Sequence, residues 1–151
     1  MRKYNGKEYI EKQKHDIIEL VEIVDILRSP NGCEWDRAQD FNSMKKCLSD
    51  ETEEVLQAID KKDYKNLQEE LGDVLLQVVM NSQIAKEQGL FDFSDVIQTL
   101  SEKLIRRHPH VFGDEPRPTT PEESLALWKK VKKIEKALIE NNKTEEKGEK
   151  L

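Results

Sequence analysis

The chain has 151 residues and a mass of 17.7 kDa, a length that suits one domain with a substantial hydrophobic core. Its net charge of −6 provides no basic field to displace counterions from a phosphate backbone, so we expect no DNA or RNA polymer as a partner. The N-terminus lacks an apolar signal core, and no window approaches a membrane-spanning length, so we expect no membrane association. The two cysteines lack a Cys-x-x-Cys arrangement, which is typical of free thiols in a reducing cytoplasm.

Apolar residues recur at helical spacing along most of the chain. Together with capping and breaking residues they predict five helices, at about 9–28, 42–60, 66–88, 94–107 and 121–140. The predicted capping residues are Asn42 or Ser43, Asn66, Ser94 and Thr120. Because no segment has the period of a strand, the sequence predicts an all-α bundle of about five helices. We expect one domain over residues 1–140 and a polar, disordered tail over 141–151.

Acidic side chains lie beside the apolar face of the second predicted helix. Successive residues turn by about 100° on a helix, which directs Asp50 and Glu53 outward but places Glu51 and Glu54 along the edge of the core. The two edge acids are spaced i,i+3 and therefore project from neighbouring positions.

The third predicted helix is apolar nearly all round, apart from one narrow polar stripe that carries Glu70 and Asp73. A helix of this kind is buried, and a buried carboxylate is costly unless it is compensated. If the two helices are antiparallel, Glu70 and Asp73 can face Glu51 and Glu54 across one seam. Hard divalent cations prefer all-oxygen ligands, so the four acids predict a Mg²⁺ or Mn²⁺ site. The alternative is that they are a solvated face or pair with lysines on neighbouring helices.

Two further features of the third predicted helix indicate what packs against it. Gly72 lies between the acids and costs about 1 kcal/mol relative to Ala, which indicates that another backbone or a ligand approaches closely. So apolar a helix in so small a bundle also predicts that a second subunit completes the core, in a homodimer or a higher oligomer.

The stretch from "LRSPNGCEWD" through "DETEE" and "EELGD" to "RRHPHVFGD" closely resembles the MazG-type nucleoside triphosphate pyrophosphohydrolases, from about Ile17 to Lys136. The family's metal pattern of two adjacent acids, a third acid three positions later and a distant Glu-x-x-Asp falls on Asp50, Glu51, Glu54, Glu70 and Asp73. Asp50 departs from the usual Glu. The resemblance implies an all-α enzyme that dimerises, binds Mg²⁺ and hydrolyses a nucleoside triphosphate (NTP) or deoxynucleoside triphosphate (dNTP) to the monophosphate and pyrophosphate.

The resemblance also implies substrate contacts in the last two predicted helices. Lys103 and Arg107 are spaced i,i+4, as are Trp128 and Lys132, and both pairs look like the family's triphosphate and nucleotide contacts. From the residues alone, Lys103 could equally be a surface lysine and Trp128 a core aromatic.

The loop "GCEWD" carries Trp35, which could stack on a base or plug the end of the bundle. Glu34 stands where the family usually has Pro. We expect a structural or phosphate-proximal role for His108 and His110, because a metal-activated water needs no histidine base and Glu54 could take its proton.

Two alternatives remain open. One is a related all-α pyrophosphohydrolase with a narrower substrate such as dUTP, dCTP or phosphoribosyl-ATP. The other is a non-catalytic helical module that binds a nucleotide or a basic partner. The sequence fixes neither the preferred base and sugar nor the number of metal ions.

Overall fold

The computed structural model describes residues 7–10 and 12–148, and the side chains of residues 9–10 and 12–138. All regular structure in these ranges is helical, which confirms the all-α prediction. The eight helices are α1 (Lys7–Ile10), α2 (Ile17–Arg28), α3 (Glu34–Arg37), α4 (Phe41–Lys61), α5 (Tyr64–Glu87), α6 (Phe93–Arg107), α7 (Pro109–Phe112) and α8 (Pro121–Gly148). None of the helices described here combines the length and the apolar character needed to cross a membrane.

The chain divides into two compact units, one ending at Val96 and the other beginning at Ile97. The first unit has a core to which α2, α4 and α5 contribute. Its buried cluster comprises Val24, Met44, Val79, Met80 and Ile84. Full burial of side chains of this size contributes about 1.5–3 kcal/mol each, so this cluster holds the three helices together.

The first long helix is shorter than its sequence pattern predicts. A single helix from Tyr9 to Arg28 is wrong, because α2 begins only at Ile17. The Asp16 carboxylate accepts hydrogen bonds from the main-chain N–H groups of Ile18 and Glu19, at 2.9 and 3.0 Å. An aspartate cap of this kind satisfies free donors that a continuous helix would have bonded internally, so it fixes a new helix start.

Aspartates also displace the predicted caps of the next two helices. Asp40 caps α4 by accepting from the N–H groups of Asn42 and Ser43, and the Ser43 hydroxyl accepts from the Asp40 N–H in return. Asp63 caps α5 by accepting from the N–H of Asn66. Ser43 and Asn66 therefore lie in the first turn of their helices, and each helix begins earlier than predicted.

The later helices also differ at their ends. Asp92 and Asp95 form reciprocal hydrogen bonds at the start of α6, which begins at Phe93 rather than after a Ser94 cap. The Thr120 hydroxyl accepts from the Glu123 N–H, as expected for a capping box at the start of α8. α8 continues to Gly148, past the end predicted at about Glu140, because no helix-breaking residue intervenes.

The helices α4 and α5 form an antiparallel hairpin whose connection consists of Lys62 and Asp63. Lys62 adopts the left-handed conformation at φ 55°, and the Asp63 N–H donates to the carbonyl of Ala58 at 3.0 Å. This bond closes the end of α4 and reverses the chain at once. The two long helices consequently pack along each other, and their facing residues form one seam.

Gly72 lies on α5 between Glu70 and Asp73 in the sequence, at an exposed position of the helix. A Cβ atom built there would meet no atom within 4 Å among the described residues, the nearby backbone of its own helix aside. Close approach of another backbone to Gly72 is therefore wrong for the described residues, and close approach of a ligand stays a prediction.

Replacing Gly72 with Ala should raise the free energy of unfolding by about 0.5–1 kcal/mol, because alanine loses less backbone freedom in a helix and meets no steric obstacle. The measurement is urea unfolding without divalent cations. The matched control is Gly89→Ala, which should destabilise the protein because Gly89 has a φ of +69°. A loss of stability in Gly72→Ala would contradict the expectation and point to a close contact from outside the chain.

Candidate active site

Three carboxylates meet at the seam between α4 and α5. Glu51 projects from α4, and Glu70 and Asp73 project from α5, with one carboxylate oxygen of each within 4.8 Å of the others. Glu70 is buried, with 8% of its surface exposed, although it is charged. The structure thus brings together three of the four acids that the sequence singles out as metal ligands.

The two remaining acids of the motif lie differently. Glu54 is exposed and outside this group of three, yet it is close enough to hydrogen-bond with the Glu70 carboxyl. Asp50 pairs with Lys46 on the outer side of α4, with 2.5 Å between Nζ and the carboxylate oxygen. The Asp50 side chain is therefore engaged away from the seam, as its outward position on the helix predicts.

Burial and mutual repulsion raise the pKa of two of these acids. Burial is the main cause for Glu70, followed by the charge of Glu54, hydrogen bonding with it, and the charges of Asp73 and Glu51. Burial is also the main cause for the raised pKa of Glu51, followed by the negative charges of Asp73, Glu54 and Asp50. The negative charges of the neighbouring acids thus make Glu51 and Glu70 harder to ionise.

The donor set fits a hard divalent cation. All three converging groups offer carboxylate oxygen, the ligand that Mg²⁺ and Mn²⁺ prefer. In the described part of the chain, no lysine or arginine forms a salt bridge with Glu51, Glu70 or Asp73. A cation at this position would supply the positive charge that no neighbouring side chain provides.

A mainly apolar cavity of about 310 Å³ also lies between α4 and α5. Its lining comprises Phe41, Met44, Lys45, Leu48, Gln77, Val78, Asn81, Ser82, Phe91 and Val96. Gln77 is one turn beyond Asp73 and 5% exposed, and its enclosed Oε1 atom has no hydrogen-bond partner among the residues that the structure describes. Asn81 donates from Nδ2 to the Gln77 main-chain carbonyl at 2.8 Å. An apolar cavity with a few amide groups is the usual lining of a small-molecule site.

Trp35 lies on the short helix α3, and 62% of its surface is exposed. Its main-chain carbonyl accepts a hydrogen bond from the Gln39 side chain at 2.8 Å. The indole is thus largely open to solvent, on a segment with local hydrogen bonds of its own.

In the second unit, two cations flank one tryptophan. The guanidinium carbon of Arg107 lies 5.2 Å from the centre of the Trp128 ring, and Lys132 Nζ lies 4.9 Å from it. Arg107 also donates from Nε and Nη2 to Glu135, at 2.9 and 2.8 Å. The structure therefore brings together three of the four predicted substrate contacts, while Lys103 is half-buried on α6.

Glu135 was not singled out from the sequence. It accepts hydrogen bonds from both Arg106 and Arg107, and these bonds hold its pKa below the usual value. Its position seven residues after Trp128 and three after Lys132 places it on their face of α8, which is the signal that could have identified it.

The two histidines at the start of α7 have different environments. His108 Nδ1 lies 2.6 Å from the Leu104 carbonyl oxygen, so this nitrogen carries the proton and donates. His110 Nδ1 is enclosed and has no hydrogen-bond partner within the described ranges, and the centres of the two rings are 5.8 Å apart. The contact with Leu104 fits a structural role for His108, because it occupies one ring nitrogen with the main chain.

The raised pKa values predict how stability depends on pH without divalent cations. The folded state binds protons at Glu51 and Glu70 more tightly than the unfolded chain, so the contribution of these groups is greatest below the ordinary value of 4.5 and declines as pH rises. The melting temperature should therefore fall from mildly acidic towards neutral pH. Below the ordinary range the trend should reverse, because Asp40 and Glu135 have lowered pKa values.

Added Mg²⁺ should raise the melting temperature more at about pH 7.5 than at about pH 5, because it competes with protons for the same oxygens. Differential scanning calorimetry checks both trends. The Glu70→Gln variant is the control and should respond less to pH and to Mg²⁺. A Mg²⁺ effect of equal size at both pH values would count against this cluster as the binding site.

Comparisons with known proteins agree with this geometry. The family model for the MazG nucleotide pyrophosphohydrolase domain matches residues 39–112, a range that includes all four acids of the seam. The chain is 55% identical over 118 residues to the nucleoside triphosphate pyrophosphohydrolase/pyrophosphatase MazG of Thermotoga maritima, covering 78% of this chain and 44% of that protein. It is 45% identical over 124 residues to the nucleoside triphosphate pyrophosphohydrolase of Escherichia coli K12, covering 82% of this chain and 47% of that protein.

The chain thus spans less than half the length of these two relatives. A solved structure extends the comparison to the fold. The crystal structure of a mazG-related protein from Thermotoga maritima matches with a TM-score of 0.64 at 32% identity, covering 78% of this chain and 99% of that one. The matching domain and this near-complete structural correspondence show that the chain belongs to the MazG nucleotide pyrophosphohydrolase family.

Proposed function

We propose that this protein is a Mg²⁺-dependent nucleoside triphosphate pyrophosphohydrolase, which cleaves an NTP or dNTP to the monophosphate and pyrophosphate. The observation that carries the proposal is the convergence of Glu51, Glu70 and Asp73 at one seam. A triphosphate carries several negative charges, and a cation held by these carboxylates would offset part of that charge. The names of the relatives from Thermotoga maritima and Escherichia coli support the same reaction.

Glu51, Glu70 and Asp73 would hold the Mg²⁺, for which Mn²⁺ can substitute, and Glu54 would complete the ligand set. When bound, the cation would neutralise the charge of the triphosphate and lower the pKa of water. The three converging carboxylates would, through the bound cation, direct the phosphates to the seam between α4 and α5. Their position on two packed helices, rather than on loops, limits how far each oxygen can move.

Glu54 would also accept a proton from the attacking water. Its carboxylate is exposed and therefore open to solvent, and it is near Glu70. The water oxygen forms a bond to the α-phosphorus while the bridging bond from that phosphorus to the β-phosphate oxygen breaks. Pyrophosphate leaves with the electron pair of that bond, and the proton of the water passes to Glu54.

The remaining substrate contacts would come from cationic and aromatic side chains. Lys103, Arg107 and Lys132 would bind phosphate oxygens, and Trp128 would contact the nucleoside. The two cations beside the Trp128 ring support this role, because together they outnumber the single negative charge of Glu135. That surplus leaves positive charge for an anionic ligand.

The base would stack on Trp35. Of the two alternatives for this residue, its exposure favours stacking, since an indole that plugs the bundle would be buried. The cavity beside Gln77 is large enough for part of a nucleoside and lies next to the carboxylates on the same two helices. The Trp35 indole and the cavity beside Gln77 would both contact the nucleoside rather than the phosphates.

Other functions are compatible with the family. A narrower enzyme would cleave one substrate such as dUTP, dCTP or phosphoribosyl-ATP, and a panel of ordinary and damaged nucleotides separates this from a broad activity. A non-catalytic module would bind a nucleotide and release no pyrophosphate. The site is proposed to work in the cytoplasm, where the free thiols of Cys33 and Cys47 are stable.

The protein is also proposed to act as a homodimer or a higher oligomer. Leu71, Leu75 and Val78 repeat at helical spacing on α5 and are all exposed, although α5 supplies much of the buried core. An exposed apolar stripe on the central helix of a small unit is typical of an interface between subunits.

Replacing Glu70 with Gln or Asp73 with Asn should lower the rate of pyrophosphate release at least about 100-fold, because each change removes a negative ligand while keeping its shape. The assay measures pyrophosphate and monophosphate from an NTP and dNTP panel, with Mg²⁺ and with excess chelator. The matched control is Glu53→Gln, an exposed glutamate of the same helix pair that should keep full activity and stability. Near-full activity in a folded Glu70→Gln protein would remove the cluster from the mechanism.

Sedimentation velocity tests the assembly. The wild type should sediment at about twice 17.7 kDa or more, and Leu75→Glu should shift it towards the monomer by placing a charge in the apolar stripe. The control is Leu125→Glu, at an exposed leucine of α8 in the other unit. A wild type that stays monomeric at all concentrations would contradict the proposed interface.

A further inference from the structure

Arg28, in the last turn of α2, makes four hydrogen bonds and has only 6% of its side chain exposed. Two of these bonds form an ion pair, in which Nε and Nη2 donate to the two carboxylate oxygens of Glu87 at 2.8 and 2.7 Å. The other two go to main-chain carbonyls of the segment between α2 and α4. Nη1 donates to Asp36 at 2.5 Å and to Gln39 at 3.1 Å. One guanidinium thus joins α2, the end of α5 and this segment.

The segment that Arg28 binds carries Trp35. Its beginning is fixed independently, because the Cys33 N–H donates to the Leu27 carbonyl at 2.8 Å. Gly32 packs so closely that an added Cβ would lie 2.1 Å from that carbonyl oxygen. Its end is fixed by the Asp40 cap of α4. Only Arg28 attaches the middle of the segment, around Trp35, to another long helix through the hydrogen bonds described here.

The chemistry of these contacts requires arginine. The planar guanidinium carries five donors in a fixed arrangement, so it can bind a carboxylate on one edge and two carbonyls on another. Lysine would keep the positive charge opposite Glu87, but its compact ammonium group cannot reach both sets of acceptors at this geometry. An arginine that only formed the ion pair with Glu87 would not need to donate to the main-chain carbonyls of Asp36 and Gln39 as well.

We propose that Arg28 is a positioning residue, which holds the segment around Trp35 so that the exposed indole meets the base of the nucleotide. The inference rests on the proposed function, since it assumes that a nucleotide is the ligand. Stacking on an aromatic side chain needs a defined ring plane, and an indole on a loosely held segment would lose that definition. Arg28 therefore affects nucleotide binding indirectly, by orienting Trp35.

The experiment combines a spectroscopic and a kinetic measurement on the full chain. Labelling with 5-fluorotryptophan gives two ¹⁹F resonances, for Trp35 and Trp128, which Trp35→Phe and Trp128→Phe variants assign. Arg28→Lys should shift or broaden the Trp35 resonance and leave that of Trp128 unchanged. In the pyrophosphate assay it should raise KM about 5- to 100-fold, the range expected for loss of one base–aromatic stack, with kcat changed less than about threefold.

Two control variants separate positioning from stability. Arg37→Lys alters an arginine of the same segment whose partner, Glu34, lies on the surface, and it should change neither resonance nor KM. Glu87→Gln weakens the ion pair but leaves the bonds from Arg28 to the Asp36 and Gln39 carbonyls. It should lower the melting temperature while KM stays near the wild-type value.

A double-mutant cycle gives the decisive result. If Arg28 acts through Trp35, then Arg28→Lys should raise KM in the wild-type background but add nothing in the Trp35→Ala background. An equal increase in both backgrounds, or an unchanged Trp35 resonance in Arg28→Lys, would overturn the positioning role. A wild type that cleaves no triphosphate would instead overturn the proposed function, and that outcome is distinguishable because the ¹⁹F measurement does not depend on turnover.

Discussion

Carboxylates from α4 and α5 repel one another at the seam between the two helices, and the packing of these helices has to overcome this repulsion. One carboxylate oxygen of each of Glu51, Glu70 and Asp73 lies within 4.8 Å of the others, so their negative charges repel one another. The burial of Met80 or Ile84 in the adjoining core contributes about 1.5–3 kcal/mol each. Core packing therefore holds the two helices together against this repulsion, and a bound cation would convert an unfavourable cluster into a favourable one.

Elsewhere in the protein, ionised groups are paired with groups of opposite charge. Arg28 with Glu87, and Arg107 with Glu135, are ion pairs in which each carboxylate meets a guanidinium at hydrogen-bond distance and has a lowered pKa. These pairs neutralise charge within the chain. The acids of the seam lack such partners in the part of the chain described, and this contrast distinguishes carboxylates that could hold an external cation from carboxylates that are paired within the chain.

The helical periodicity of the sequence predicted which side chains of a single helix face the core and which face outward. The outward direction of Asp50 and the inward direction of Glu70 follow from their positions on the helical wheel, because burial depends on which face meets the core. Helix starts were less predictable, since Asp16, Asp40 and Asp63 compete with other good caps a few residues away. The contact between α2 and the end of α5 through Arg28 and Glu87 was not predictable. Nothing in the local pattern pairs Arg28 with Glu87, because their separation in the sequence carries no periodic signal.

The two-residue connection between α4 and α5 has a consequence for how the site assembles. All four acids lie between residues 51 and 73, so their approach closes only a short loop. Contacts between neighbours in the sequence form quickly and need no prior arrangement of remote segments. The carboxylate cluster is thus a property of one helical hairpin, and bringing its members together requires closing only the two-residue connection between α4 and α5.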